Sequence, residues 1–329
     1  MLDQPFPHRH LVAIGRLSRA EIELVLDTAE EYRAHIASGA RRLTTLDGST
    51  VVNLFFENST RTRMSFEMAA QHLSAYVVNF DVGTSSIKKG ESLRDTVETI
   101  EAAGANIIVI RHASSGTHEH VATFAKAAVI NAGDGWHEHP TQALLDAFTI
   151  RRALGKVEGL SVTIVGDVLH SRVARSNVLC LTALGARVTV CGPSMFVPES
   201  FGEAYGVRVT NRLDEAIAGA DVIYLLRIQA ERQQTRRFPS VGEYRKLYGL
   251  NTAKLERANP DALVMHPGPV NRGVEISNSI MDRERTVIVD QVAHGVPVRM
   301  AVLKLLKSAQ DGVAVQSVPE KPASELDDG

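Results

Sequence analysis

Five consecutive residues, Ser59-Thr60-Arg61-Thr62-Arg63, alternate hydroxyls with guanidinium groups directly after the apolar run Val51-Val52-Asn53-Leu54-Phe55-Phe56. A strand that turns into a helix at this point aims several free backbone N–H groups at one spot. The helix dipole adds roughly half a positive charge there. Arginine grips an oxyanion with two parallel hydrogen bonds. The pattern therefore predicts a site for a doubly charged phosphate. A bare Arg pair at a helix start is as often a solvated basic surface; the alternating hydroxyls and the preceding strand favour the site.

Further chemistry-bearing residues follow other strand-like runs, and open α/β sheets bind ligands beyond the carboxyl ends of their strands. The run Tyr76–Phe80 leads to Thr84-Ser85-Ser86-Ile87-Lys88-Lys89-Gly90-Glu91, and the run 106–110 leads to Arg111-His112. The loop Asn131-Ala132-Gly133-Asp134-Gly135 precedes His139-Pro140-Thr141-Gln142. Later, Gly166-Asp167 precedes Ser171-Arg172, Leu225-Leu226 precedes Arg227-Ile228-Gln229, and Met265 is followed by His266-Pro267-Gly268-Pro269. Each alone has a bland reading: a soluble lysine loop, a surface arginine, a capping histidine, a rigid proline turn. Their accumulation at one end of successive strands is what stability does not require.

The elements that must position these residues are legible as alternating strands and helices. Ser18-Arg19-Ala20-Glu21 is a capping-box pattern, with Ile22, Val25, Leu26, Ala29 and Ile36 on one helical face and Gly39 as a stop. Strands are expected at 51–56, 76–80 and 106–110, with helices at 61–74, 92–103 and 117–128. Pro140 at a first helical position opens a helix to about Leu154. The alternation then restarts, with strands at 161–165, 187–191, 207–210, 221–226, 262–265 and 286–289 and a last helix over 296–308. This predicts an α/β protein of two doubly wound parallel-sheet domains linked by helices. The segment from Gln310 to Gly329 is poor in large apolar residues, and disorder is expected there.

Composition sets outer bounds. A chain of 329 residues is long enough for two domains with separate cores. The formal net charge of -2 argues against general nucleic-acid binding. No apolar run approaches the ~18 residues of a membrane span, and the N-terminal residues lack a signal-peptide layout. Cys180 and Cys191 are the two cysteines, without metal-ligand spacing, and read as buried hydrophobes in a reducing cytoplasm.

Taken in order, Ser59-Thr60-Arg61-Thr62-Arg63, Lys89-Gly90-Glu91, Arg111-His112, His139-Pro140-Thr141-Gln142 and His266-Pro267-Gly268-Pro269 resemble the aspartate/ornithine carbamoyltransferase family over roughly residues 11–307. Ser85 and Lys89 in the lysine loop, and His-Pro-Gly-Pro in place of a His-Cys-Leu-Pro turn, resemble the aspartate branch. The resemblance implies a domain of residues 1–142 plus a C-terminal helix 296–310 for carbamoyl phosphate, a domain of 143–295 for aspartate, and a tail of 311–329. It implies that Ser59, Thr60, Arg61, Thr62 and Arg111 hold the phosphate, with Ser85 and Lys89 reaching the same site. Thr62, Arg111 and His139 would polarise the carbonyl oxygen. Gln142 and the main-chain carbonyls of Pro267 and Gly268 would meet the carbamoyl amide, while Arg63 would support the loop. The two carboxylates of aspartate would meet Arg172 and Arg227, with Gln229 and Lys89 beside them.

No metal or cofactor is implied, because the reaction needs preorganised donors rather than a covalent nucleophile. The family is built as homotrimers with shared active sites, the Ser85–Lys89 loop coming from a neighbour. The resemblance also admits larger assemblies with regulatory or dihydroorotase-type subunits. One departure is Trp136-His137-Glu138, bulkier than the resemblance leads one to expect before His139. An ornithine acceptor is disfavoured by the His-Pro-Gly-Pro turn and the paired arginines. A nicotinamide-dependent dehydrogenase would need GxGxxG, which Gly166-Asp167-Val168-Leu169-His170-Ser171 does not supply. A silent scaffold should have lost one of Arg61, Lys89, Arg111 or His139, and all four are present.

Overall fold

The computed structural model describes residues 5–39, 42–80, 90–228 and 240–312, which fall into two compact units. One comprises residues up to 12, 20–132 and 294 onward; the other comprises 13–19 and 133–293. The sequence expectations for Ser85, Lys89, Gln229 and the tail from 313 onward lie outside the described residues.

The first unit begins with α1 (Arg19–Ala37), followed by β1 (Thr50–Phe55), α2 (Thr60–His72), β2 (Tyr76–Phe80), α3 (Leu93–Ala102), β3 (Ile107–His112), α4 (Thr117–Ala122) and β4 (Ala128–Asp134). Its sheet has the order β2-β1-β3-β4, and β1 pairs in parallel with both β2 and β3. Val52, Leu54, Ile108, Ile110 and Val129 from the strands pack with Val97, Ile100 and Val121 from α3 and α4. The start of α3 is fixed by a capping box, Ser92 Oγ accepting from Asp95 N at 3.1 Å and Asp95 Oδ2 from Ser92 N at 3.3 Å.

The second unit carries α5 (Pro140–Leu154), β5 (Ser161–Val165), α6 (Arg172–Ala183), β6 (Arg187–Cys191), α7 (Glu199–Tyr205), β7 (Arg208–Thr210), α8 (Leu213–Ile217) and β8 (Val222–Leu225). It continues through α9 (Val241–Tyr248), α10 (Thr252–Leu255), β9 (Leu263–Met265) and α11 (Asn278–Met281). The parallel order β7-β6-β5-β8-β9 is that of a doubly wound sheet. A final helix, α12 (Ile288–Asp311), has Pro297 inside it. Two of the boundaries between the units fall within β4 and α12, and the other two flank residues 13–19.

Three expectations are corrected. The helix expected over 117–128 ends at Ala122, and 128–134, read as the end of that helix and a loop, is a wholly buried strand. Its Asn131 is accommodated by donating Nδ2 to Val12 O at 2.8 Å. The strand expected at 286–289 is a single bridge at Thr286, with Ile288 and Val289 already helical. Consequently the last helix starts eight residues before 296. Lastly, Arg111 and His112 are the final residues of β3 rather than the loop after it.

Candidate active site

Each sheet reverses its strand order once, between β1 and β3 in the first unit and between β5 and β8 in the second. At such a point the connections leave in opposite directions and open a crevice at the carboxyl ends.

At the first switch point, Phe55 of β1 is paired in register with Arg111 of β3. Ser59 is the N-cap of α2, with extended backbone and no side-chain capping bond. An α-helix leaves its first N–H groups without intrahelical partners, so this helix start offers them together with the Ser59, Thr60 and Thr62 hydroxyls. Thr62 is buried, whereas Thr60, Arg61 and Arg63 are exposed. Arg111 is nearly enclosed: Nε lies 3.3 Å from Glu57 Oε2, and Nη1 donates to Ala132 O at 3.1 Å. The structure thus gathers Ser59, Thr60, Arg61, Thr62 and Arg111 around neighbouring strand ends within one unit.

At the second switch point, Gly166 follows β5 with φ +135°, and a Cβ there would stand 2.9 Å from Leu226 Cβ. Glycine is what allows the ends of β5 and β8 to approach so closely. Arg172 opens α6, buried, with Nη1 donating to Gly135 O at 3.3 Å. Arg227 lies two residues beyond β8, half-buried.

The same unit holds the histidine motif. His139 is the buried N-cap residue of α5, and its backbone N donates to Ser176 Oγ at 2.8 Å. Ser176 in turn donates to Glu138 Oε2 at 2.9 Å, and Ile14 N donates to the same oxygen at 2.7 Å. Burial pushes the Glu138 carboxyl above its ordinary range, against the pull of these donors. The bulky Trp136-His137-Glu138 segment is therefore well seated. His137 Nδ1 is 3.0 Å from Asp134 Oδ2, and Trp136 meets the His170 ring edge-on.

In the turn after β9, His266 is buried and its Nδ1 accepts from Gly268 N at 2.8 Å. Gly268 has φ +64° and is followed by a cis bond to Pro269. His266 N donates to Gln291 Oε1 at 3.0 Å, and Gln142 Nε2 donates to Asp146 Oδ1 at 3.0 Å. Glu57, Asp146, Ser176 and Gln291 are not singled out from sequence, and Glu138 only for its bulk. Asp146 carried one usable signal, a lone acid inside Ala143-Leu144-Leu145-Asp146-Ala147-Phe148, spaced i,i+4 from Gln142 on one helix face.

Two doubly wound α/β units, one gathering arginines and hydroxyls at its switch point and one with a buried and a half-buried arginine and a polar turn, define a two-domain α/β enzyme. The chain belongs to the aspartate/ornithine carbamoyltransferase family: the model of the carbamoyl-P binding domain matches residues 9–152, and that of the Asp/Orn binding domain matches 158–306. The aspartate carbamoyltransferase catalytic subunit of Sorangium cellulosum is 54% identical over 318 residues, spanning 97% of this chain and 98% of the relative. That of Syntrophotalea carbinolica is 50% identical over 305 residues, spanning 93% and 97%. Among solved structures, aspartate transcarbamoylase from Trypanosoma cruzi in complex with carbamoyl phosphate and aspartate superposes with a TM-score of 0.82 at 31% identity, covering 91% of this chain and 98% of that one. Its complex with N-(phosphonacetyl)-L-aspartic acid gives 0.82 at 32% identity, covering 91% and 96%.

Proposed function

We propose that this protein transfers the carbamoyl group of carbamoyl phosphate to the amine of L-aspartate, giving N-carbamoyl-L-aspartate and phosphate. The observation that carries this reading is the uncapped Ser59–Arg63 helix start beside the in-register Arg111 at the first switch point. Relatives named for aspartate at 50–54% identity support the choice of acceptor.

In this reading Ser59, Thr60, Arg61, Thr62 and Arg111 hold the phosphate, with Ser85 and Lys89 joining them. Thr62, Arg111 and His139 stabilise charge growing on the carbonyl oxygen, where fixed donors contribute most to the rate. Gln142 and the carbonyls of Pro267 and Gly268 accept from the carbamoyl NH2. Arg172, Arg227, Gln229 and Lys89 bind the aspartate carboxylates. The amine nitrogen bonds to the carbonyl carbon, the C–O bond to phosphate breaks, and the departing phosphate takes the amine proton. A histidine donating to the carbonyl oxygen does not accept that proton at the same nitrogen. His139→Ala should therefore scale the pH–rate profile without removing a limb; a lost limb would make His139 the base.

Residues 1–142 with 296–310 serve as the carbamoyl phosphate domain and 143–295 as the aspartate domain, with 311–329 as a tail. The protein acts as a cytoplasmic homotrimer in pyrimidine biosynthesis. Exposed Tyr76 and Val78 on the edge strand β2, and exposed Met64 and Met68 on α2, support self-association. Buried free Cys180 and Cys191 fit a reducing compartment. Among the described residues no helix is long and apolar enough to cross a membrane. Mixing a Lys89-inactivated with an Arg172-inactivated protein should regenerate activity after subunit exchange; none would count against shared sites.

The primary test is product formation from carbamoyl phosphate with L-aspartate and L-ornithine in parallel. Turnover with aspartate alone is expected. Turnover with ornithine alone would overturn the reading of the second unit while leaving the phosphate site standing.

A further inference from the structure

Asp146 lies in the middle of α5 with no exposed surface, and four donors converge on its carboxylate. Gln142 Nε2 and Gln291 Nε2 donate to Oδ1 at 3.0 and 2.7 Å; Asn177 Nδ2 and the Tyr224 hydroxyl donate to Oδ2 at 2.8 and 2.7 Å. Burial pushes the carboxyl pKa up to about 6 against the pull of these four donors, and a cage of four donors is the one that an ionised carboxylate fits. An ionised carboxylate is acceptor-only, with about four lone-pair sites, and here all are used.

Such a group dictates which end of each amide faces it. Gln142 must turn Nε2 toward Asp146, so Oε1 is the end it offers elsewhere. Gln291 is turned the same way, which is why its Oε1 receives His266 N and seats the turn whose Nδ1–Gly268 N bond sets up Pro267 and Gly268. We propose that Asp146 is a positioning residue that makes the carbamoyl pocket an array of acceptors and so selects a substrate bearing NH2 beside the reacting carbonyl. This rests on the carbamoyl-transfer reading, in which Gln142 Oε1 and the Pro267 and Gly268 carbonyls face that NH2.

The test uses acetyl phosphate, which replaces the NH2 by a methyl group, as the competitor of carbamoyl phosphate on the full-length protein. Asp146→Asn has the same shape but replaces one acceptor oxygen by an NH2, and where that NH2 faces Gln142 and Gln291 their amides must reverse. The kcat/KM preference for carbamoyl over acetyl transfer should fall about tenfold, the worth of one hydrogen bond turned unfavourable. Inhibition by inorganic phosphate should stay within about twofold, because Ser59–Thr62 and Arg111 do not touch Asp146. Adding Gln142→Glu to Asp146→Asn restores an acceptor facing outward and should recover much of the preference, which a purely structural defect would not do.

An unchanged preference in both the folded Asp146→Asn protein and Gln291→Leu overturns the proposal. So does an Asp146→Asn protein in which the preference survives while phosphate inhibition and aspartate KM worsen together. If Asp146→Asn does not fold, Gln291→Leu severs the link to the His266 turn; it must lower the preference with phosphate inhibition intact, and an unchanged preference refutes the inference. A wild type that transfers neither group would overturn the carbamoyl-transfer reading itself, together with the inference built on it.

Discussion

Arg111 allows stability and transition-state binding to be separated in one experiment. Its Nε is 3.3 Å from Glu57 Oε2, and the two side chains are 13% and 19% exposed. Nη1 also donates to Ala132 O at 3.1 Å. Arg111→Met keeps the aliphatic stem and deletes the cation. Breaking a fully buried ion pair costs about 3–5 kcal/mol, and losing an exposed one costs about 0–1 kcal/mol. At this intermediate exposure a loss of about 1–2 kcal/mol in urea unfolding is expected. In the proposed reading the catalytic loss has a different origin, the removal of a fixed donor from the developing oxyanion and leaving phosphate. Such donors contribute about 3–4 kcal/mol, so kcat should fall about 10²- to 10³-fold. Adding Glu57→Gln removes the stranded charge and should return most of the stability and none of the activity. Recovery of both together, or an Arg111→Met protein with wild-type kcat/KM, would refute the assignment of Arg111 to the reacting group.

Three further outcomes are expected. Arg172→Leu should raise the aspartate KM at least about tenfold while leaving inhibition by inorganic phosphate unchanged, since the buried Arg172 lies in the second unit and the phosphate loop in the first; initial rates at varied aspartate decide this. Gly295→Ala would push its new methyl into the Arg299 guanidinium, which donates to Ser65 Oγ at 2.9 Å and lies over the Phe66 ring at 5.0 Å; thermal and urea unfolding should show a loss of about 1–3 kcal/mol. The Asp146 carboxyl is raised from 3.8 to about 6, so the native state keeps a proton that the unfolded chain releases above 3.8. Its contribution to stability therefore falls as pH rises from about 4 to 6. The gap of about two pH units at ~1.4 kcal/mol each amounts to about 3 kcal/mol. Urea unfolding at pH 4.5 and 7.5 should show wild type losing ground relative to Asp146→Asn; an equal pH response in both would disprove it.

The parts of this fold that sequence reveals are those whose signals are local. The β-branched runs of β1, β5 and β6 and the proline opening α5 stand out without tertiary context. β4 did not, because Ala128-Val129-Ile130-Asn131-Ala132-Gly133-Asp134 is buried throughout and shows no alternation, and its Asn and Gly read as a loop. The start of α12 differs from expectation for the opposite reason: Thr286-Val287-Ile288-Val289 has strand propensity and Pro297 disfavours a helix interior, yet burial of Val298, Ala301, Val302 and Leu305 carries the helix through. The Ser59–Arg63 helix start is five contiguous residues, so its residue types and its place after β1 are legible without tertiary context. Asp146 is not, since three of its four partners come from 31, 78 and 145 residues away.

The two switch points share a topology but their helix starts are bonded differently, a difference that the shapes of the proposed ligands would account for. In the second unit one donor at the start of α6 and the turn before it are engaged locally. Ser171 Oγ accepts from Ala174 N at 3.1 Å, and Asp167 Oδ1 accepts from His170 N at 3.2 Å and from its ring Nδ1 at 2.8 Å. What that end presents is side-chain charge, Arg172 and Arg227, and forked guanidinium groups suit two planar carboxylates held apart. In the first unit Ser59 does not cap its own helix. The first-turn N–H groups there are not taken by the Ser59 side chain, an arrangement that suits a compact tetrahedral anion. Giving Ser59 a capping role, or freeing the α6 start by Ser171→Ala, would move each unit toward the other's chemistry. The topology is therefore indifferent to the ligand, and the bonding of the first helical turn after each switch point supplies the distinction.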